Sequence, residues 1–251
     1  MPVPARVPGP PLIIYLHGFA SSAQSTKAKY FADRLLEHGL RLRCPDFNEP
    51  DFATLTMTRM LSQLEREIGD ADGPVTLMGS SLGGTLAILA AAKFAARVDR
   101  VVLLAPAVMF AKPGHHLLPP ERIERWRQEG AMSFLHYACN EERSLGYAFY
   151  EDSLRYDAFG APMLQPTLIF HPRHDDQSDL KNTQVLQRKL SGAVETCVLE
   201  DSYHLVTLDK QRNYVAERSI EFVERLMSRV ASRQTQAKPA TSRPHLQGAA
   251  E

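Results

Sequence analysis

The sequence predicts a three-layer α/β fold: about six mostly parallel strands, with helices on both faces and a small helical cap. Short apolar runs alternate with stretches of helical period. Several runs are continuously apolar rather than alternating, as expected of strands covered on both faces. One connection, between about residues 105 and 166, is roughly sixty residues long where a crossover needs only about a dozen.

The strand candidates are Leu12–Leu16, Leu40–Cys44, Val75–Met78, Val101–Leu104, Thr167–Phe170 and Val194–Leu199. Between them, Ala28, Phe31, Ala32 and Leu35 recur at helical spacing, and Gly39 stops that helix. Met57, Met60, Leu61, Leu64 and Ile68 form a second stripe, and Val223, Leu226, Met227 and Val230 a third. Strand–helix alternation with short connections implies right-handed crossovers and a parallel sheet. Residues 1–10 read as an extended leader, because Pro2, Pro4, Pro8 and Pro10 oppose regular structure. The folded domain is expected over 11–230. Residues 231–251 are polar and poor in large apolar side chains, and read as a disordered tail.

The long connection places the cap at about 107–160. It carries helical pieces such as PERIERWRQEG and a concentration of aromatics around Trp126. Open α/β sheets bind ligands at the carboxyl edge of the strands, so an insertion there is expected to cover the site. Trp126 is then a candidate substrate contact, with packing inside the cap as its alternative role.

Composition narrows the function. Lys plus Arg and Asp plus Glu number 29 each, so the formal net charge is zero, which argues against a nucleic-acid partner. No apolar run is long enough to span a bilayer. Cys44, Cys139 and Cys197 are far apart without a Cys-x-x-Cys pair, so no zinc-ligand spacing appears, and the serine chemistry read from the motifs below needs no metal or cofactor. The sparse cysteines and the lack of an apolar signal core make a cytoplasmic enzyme the expectation.

The sharpest motif is Gly79-Ser80-Ser81-Leu82-Gly83-Gly84, between the strand at Val75–Met78 and the helical run LGGTLAILAAAKFAA. A serine in a tight strand-to-helix turn needs glycines around it, because β-carbons there would collide with neighbouring backbone. The turn also puts Ser81 at a helix N-terminus, where negative charge is favoured. Tyr15-Leu16-His17-Gly18-Phe19 closes the first strand. Acyl transfer needs two backbone donors for the oxyanion. The N–H of Leu82 and that of Phe19 are the candidates, with Gly18 allowing close approach. His17 reads as a residue that ties down the loop.

His171-Pro172-Arg173-His174-Asp175-Asp176 follows the strand at Thr167–Phe170. A carboxylate at this strand end could orient a histidine. Either aspartate could serve; the motif register favours Asp175, with Asp176 expected to cap the helix around Leu180–Leu190. His171 and His174 read as loop residues. Asp201-Ser202-Tyr203-His204 precedes the last helix, and His204 is the candidate general base. The chain order is Ser81, Asp175, His204.

With LHGF, GSSLGG, the Asp175 loop and SYHLVTLD in this order, the sequence resembles the α/β-hydrolases over about residues 11–230. SYHLVTLD is similar to the histidine loop of compact bacterial carboxylesterases and monoacylglycerol lipases. The resemblance implies Ser81 as nucleophile, Asp175 as acid, His204 as base, and Phe19 and Leu82 as oxyanion donors. Pro172 stands where the family often has glycine, and Gln177-Ser178 where it often has apolar residues, so Asp176 stays the alternative acid. The implied activity is hydrolysis of small carboxylic esters of short to medium acyl chain. An acyl thioesterase and a non-catalytic binding protein on the same fold are the alternatives.

Overall fold

The structure is a computed structural model and describes residues 11–110, 112, 118–200 and 209–236. A six-stranded sheet in the order β2-β1-β3-β4-β7-β8 forms its centre. The strands are β1 (Leu12–Leu16), β2 (Arg41–Arg43), β3 (Val75–Ser80), β4 (Val98–Leu104), β7 (Thr167–Pro172) and β8 (Val194–Leu199). Every pairing among them is parallel. Each strand candidate therefore forms a strand. β1, β3 and β7 are buried along their whole length, whereas the edge strands β2 and β8 are half-buried or exposed at most positions. That contrast explains why the inner runs are continuously apolar.

Successive side chains of a strand point to opposite faces, so β1 divides its residues between two cores. Ile13 and Tyr15 pack with Phe31 and Leu35 of α1 (Thr26–Leu36) and with Val215, Ile220 and Val223 of α7 (Asp209–Gln236). Leu12, Ile14 and Leu16 face the other way, against α2 (Met57–Gly69) and α3 (Leu82–Lys93). All five apolar residues of the second stripe, Met57, Met60, Leu61, Leu64 and Ile68, are buried. The helix α3 is enclosed nearly all round and is rich in alanine and glycine, which lets its backbone come close to the sheet. Its buried Leu86 and Ile88 each contribute about 1.5–3 kcal/mol by leaving water. The helix α7 continues to Gln236, past the expected boundary at 230.

The insertion contains α4 (Pro120–Glu129) and α5 (Ala148–Ser153), with an antiparallel hairpin between them that the sequence reading did not anticipate. Its strands are β5 (Ala131–His136) and β6 (Glu141–Gly146). Proline at the first position of α4 and Gly130 at φ 74° after its end are what helix termini favour. The hairpin reverses at Asn140, at φ 54°, whose N–H donates to the His136 carbonyl at 2.8 Å. Thr58 of α2 ties the cap to the sheet layers, its N–H and hydroxyl donating to the two Asp152 carboxylate oxygens at 2.7 Å each. No helix among the described residues is long and apolar enough to cross a membrane.

Candidate active site

Ser81 is the single residue between β3 and α3, and its backbone lies at φ 52°, ψ −114°. Such a conformation costs about 1–3 kcal/mol and persists only where the surroundings over-determine it. Here they do. The Ser81 N–H donates to the Leu104 carbonyl at 2.9 Å, and its own carbonyl accepts from Gly84, Thr85 and Ala107 at 2.9, 3.2 and 3.1 Å. The neighbouring glycines have no room for a side chain. A β-carbon at Gly79 would lie 2.2 Å from the Gly83 carbonyl oxygen, and one at Gly84 would lie 2.8 Å from Pro106 Cβ. Ser80 and Ser81 differ in surroundings: Ser80 is buried and its Oγ accepts from Lys27 Nζ at 3.5 Å, whereas Ser81 is half-buried. Desolvation of the half-buried Lys27 side chain, in the first turn of α1, lowers its ammonium to about 8.

The loop after β1 lies directly against this turn. A β-carbon at Gly18 would sit 3.5 Å from Ser81 Cβ. His17 is buried, with Nδ1 3.0 Å from the Gly18 carbonyl oxygen and Nε2 accepting from the Phe47 N–H at 3.1 Å. A carboxylate oxygen of Asp46 also lies 3.5 Å from Nε2. His17 thus joins the β1 loop to the loop after β2. The Leu82 N–H is the first of α3 and has no intrahelical acceptor. Among the described residues, no backbone carbonyl accepts the N–H of Phe19.

The loop after β7 holds two adjacent aspartates in different surroundings. The Asp175 side chain is 0% exposed, and its Oδ1 accepts from the N–H groups of Gln177 and Ser178 at 2.9 and 2.8 Å. Asp176 is exposed. Ser178 donates its hydroxyl to the Pro106 carbonyl at 3.0 Å, and the next residue, Ala107, bonds the Ser81 carbonyl. The Asp175 loop and the serine turn are therefore joined through the residues that follow β4. Asp176 does not cap the following helix α6 (Leu180–Lys189). The cap is Asp179, which accepts from the Lys181 N–H at 2.8 Å, because the helix starts one residue after it. His171 is a fully buried residue of β7 rather than a loop residue, its Nε2 2.7 Å from the Ser178 carbonyl and its Nδ1 2.8 Å from Thr183 Oγ1. His174 is exposed. His204, the candidate base, lies outside the described residues, in the segment between β8 and α7.

Trp126 lies in the core of the cap, 2% exposed, with Nε1 donating to the Leu145 carbonyl at 2.8 Å and its ring against Phe134, Tyr147 and Tyr150. In this position it packs the core of the cap. The aromatics that do reach the β1 loop are Phe134 and Phe149, whose ring centroids lie 5.3 and 5.5 Å from that of Phe19. Sequence reasoning singled out neither. The one usable signal was the alternation of Met132, Phe134 and His136, which is the inward face of β5.

The chain has the α/β-hydrolase fold. The mouse α/β hydrolase domain-containing protein 10 superposes with a TM-score of 0.75 at 20% identity, over 88% of this chain and 93% of that one. Est1E from Butyrivibrio proteoclasticus, with ferulic acid bound, gives 0.74 at 19% identity over 89% and 92%. The Paleococcus ferrophilus monoacylglycerol lipase gives 0.68 at 14% identity over 86% and 95%. Within that fold the chain belongs to UPF0227, an uncharacterised protein family, whose model matches residues 12–216. No curated protein sequence matches it.

Proposed function

We propose that the protein is a serine hydrolase that cleaves small carboxylic esters of short to medium acyl chain through an acyl-enzyme. The observation that carries this reading is the strained Ser81 backbone between β3 and α3, crowded by glycines that admit no side chain. A serine at a plain structural turn has no need of such a conformation, whereas a nucleophile that must stand clear of the sheet does. The names of similar folds, an esterase and a monoacylglycerol lipase among them, agree with ester chemistry.

In this reading His204 removes the Ser81 proton as Oγ attacks the ester carbonyl carbon. Asp175 keeps the imidazole oriented and offsets its positive charge. The N–H groups of Phe19 and Leu82 receive the oxyanion. His204 then protonates the departing alcohol, and afterwards activates the water that releases the acid. The burial of the Asp175 carboxylate, against the exposure of Asp176, supports the assignment of the acid.

The test is turnover of p-nitrophenyl esters of rising acyl length beside fluorophosphonate labelling. Wild type and Ser80→Ala should label and turn over, with a maximum at one short to medium chain length, and Ser81→Ala should do neither. Labelling without ester turnover, together with cleavage of an acyl thioester, would assign the thioesterase reaction instead. A folded wild type that neither labels nor turns over any ester would leave a binding protein and overturn the proposal.

A further inference from the structure

We infer that the cap hairpin is a positioning device for the oxyanion donor, with Phe134 as its principal side chain. The inference rests on the reading of the Phe19 N–H as that donor. Four features of the β1 loop converge on it. Ala20 stands at φ 52°, a left-handed conformation that a residue with a β-carbon resists, so the loop needs external support. Support comes from the cap: the Ala20 carbonyl accepts the N–H of Tyr137, just past the end of β5, at 2.8 Å. The ring of Phe19 is enclosed by Phe134 edge-on at 5.3 Å, by Phe149 of α5 at 5.5 Å and by Phe52 at 5.8 Å. On the other side, Asn48 donates from Nδ2 to the Ser21 carbonyl at 2.8 Å.

The Phe19 N–H direction is set by the backbone on either side of it. The Gly18 carbonyl, which shares the peptide plane of the Phe19 N–H, accepts the Ser21 N–H at 3.3 Å, and moving the segment that carries this plane disturbs the Tyr137 bond at Ala20 and the packing of the Phe19 ring against the cap aromatics. A donor fixed before the reaction is worth more than one that must be ordered during it. The insertion thus acts on the chemistry through the oxyanion loop, beyond covering the sheet edge. Phe134 is a positioning residue: it touches the donor's side chain, not the reacting atoms.

The experiment compares Phe134→Leu, Phe134→Tyr and Tyr147→Leu with wild type. Tyr147 packs on Trp126 and Tyr150 but has no ring contact with Phe19, so it controls for general loosening of the cap. Trp126 is the sole tryptophan of the chain and lies 5.1 Å from the Phe134 ring, so its emission reports that the cap is folded. Phe134→Leu should lower kcat about tenfold with KM within about twofold, short of the roughly hundredfold or greater loss from deleting a donor outright. Hydrogen exchange over residues 17–22 should quicken in the same variant. Phe134→Tyr should restore both readouts and Tyr147→Leu should leave both unchanged. Wild-type kcat and exchange in Phe134→Leu, or equal losses in Tyr147→Leu, would overturn the inference. Exchange decides it even on a chain that hydrolyses no ester, so failure of the proposed activity and failure of the clamp are separate results.

Discussion

A β-carbon on Gly83 would lie 2.0 Å from the carbonyl oxygen of Leu16 and 2.8 Å from that of His17. The first turn of α3 is thus pressed against the end of β1, and the same contact brings the loop after β1 beside Ser81. Both atoms belong to backbone and cannot rotate away. Gly83→Ala should therefore cost about 3 kcal/mol or more in a denaturant titration, at the upper end of overpacking penalties. Activity should fall with it. Gly69→Ala is the contrast, because that glycine closes α2 with open space around it. It should be neutral or stabilising by up to about 1 kcal/mol. Equal effects of the two would mean that the close approach is relieved by small backbone shifts.

The two aspartates after β7 should separate sharply. Asp175→Asn replaces a fully buried carboxylate and should lower kcat by about 10³–10⁴-fold with the fold intact. Asp176→Asn alters an exposed side chain and should leave kcat within about twofold. The reverse pattern in steady-state kinetics would move the acid to Asp176.

Lys27 makes stability depend on alkaline pH. Its folded value, about 8 through burial, lies below the ordinary 10.5, so the unfolded chain holds that proton more tightly. Stability rises with pH wherever the unfolded state binds more protons. The contribution is complete above 10.5 and is lost as pH falls through 8. Lys27→Met should consequently stabilise the protein at pH 7, and its advantage over wild type should shrink between pH 8 and 10.5. Chemical denaturation at pH 7 and pH 9.5 measures this, and a difference that does not change with pH would count against a lowered Lys27 ammonium.

Trp126→Phe should weaken the cap without changing substrate preference. It leaves the Leu145 carbonyl without the indole donor, at a cost of about 1–3 kcal/mol. Acyl-chain preference across a p-nitrophenyl ester series should be unaltered. A shifted preference would show that the indole reaches the substrate.

Much of the scaffold is legible in local pattern. The run Leu12–Leu16 is both a sequence signal and a strand with the same limits, because an inner strand has to be apolar at every position. The hairpin is different. Glu141, Glu142 and Arg143 carry no strand signal, yet they pair residue by residue with His136, Leu135 and Phe134. Pairing is decided by the partner strand and by the Asn140 turn, and strand preference is mostly a measure of such context. Helix α6 gives a smaller instance: four acidic or polar residues, Asp175 to Ser178, precede Asp179, and only the fold chooses which one caps.

By itself, the sequence determined the layered fold, the strand positions and the serine turn, because each follows from periodicity or from glycine at positions where a β-carbon cannot fit. Tertiary structure alone decided that Asp175 is buried while its neighbour is exposed, that His171 is bonded within the core, and that cap aromatics enclose Phe19. Those outcomes depend on contacts between segments distant in the chain, such as Phe19 with Phe134, and no local pattern records which distant side chain will arrive.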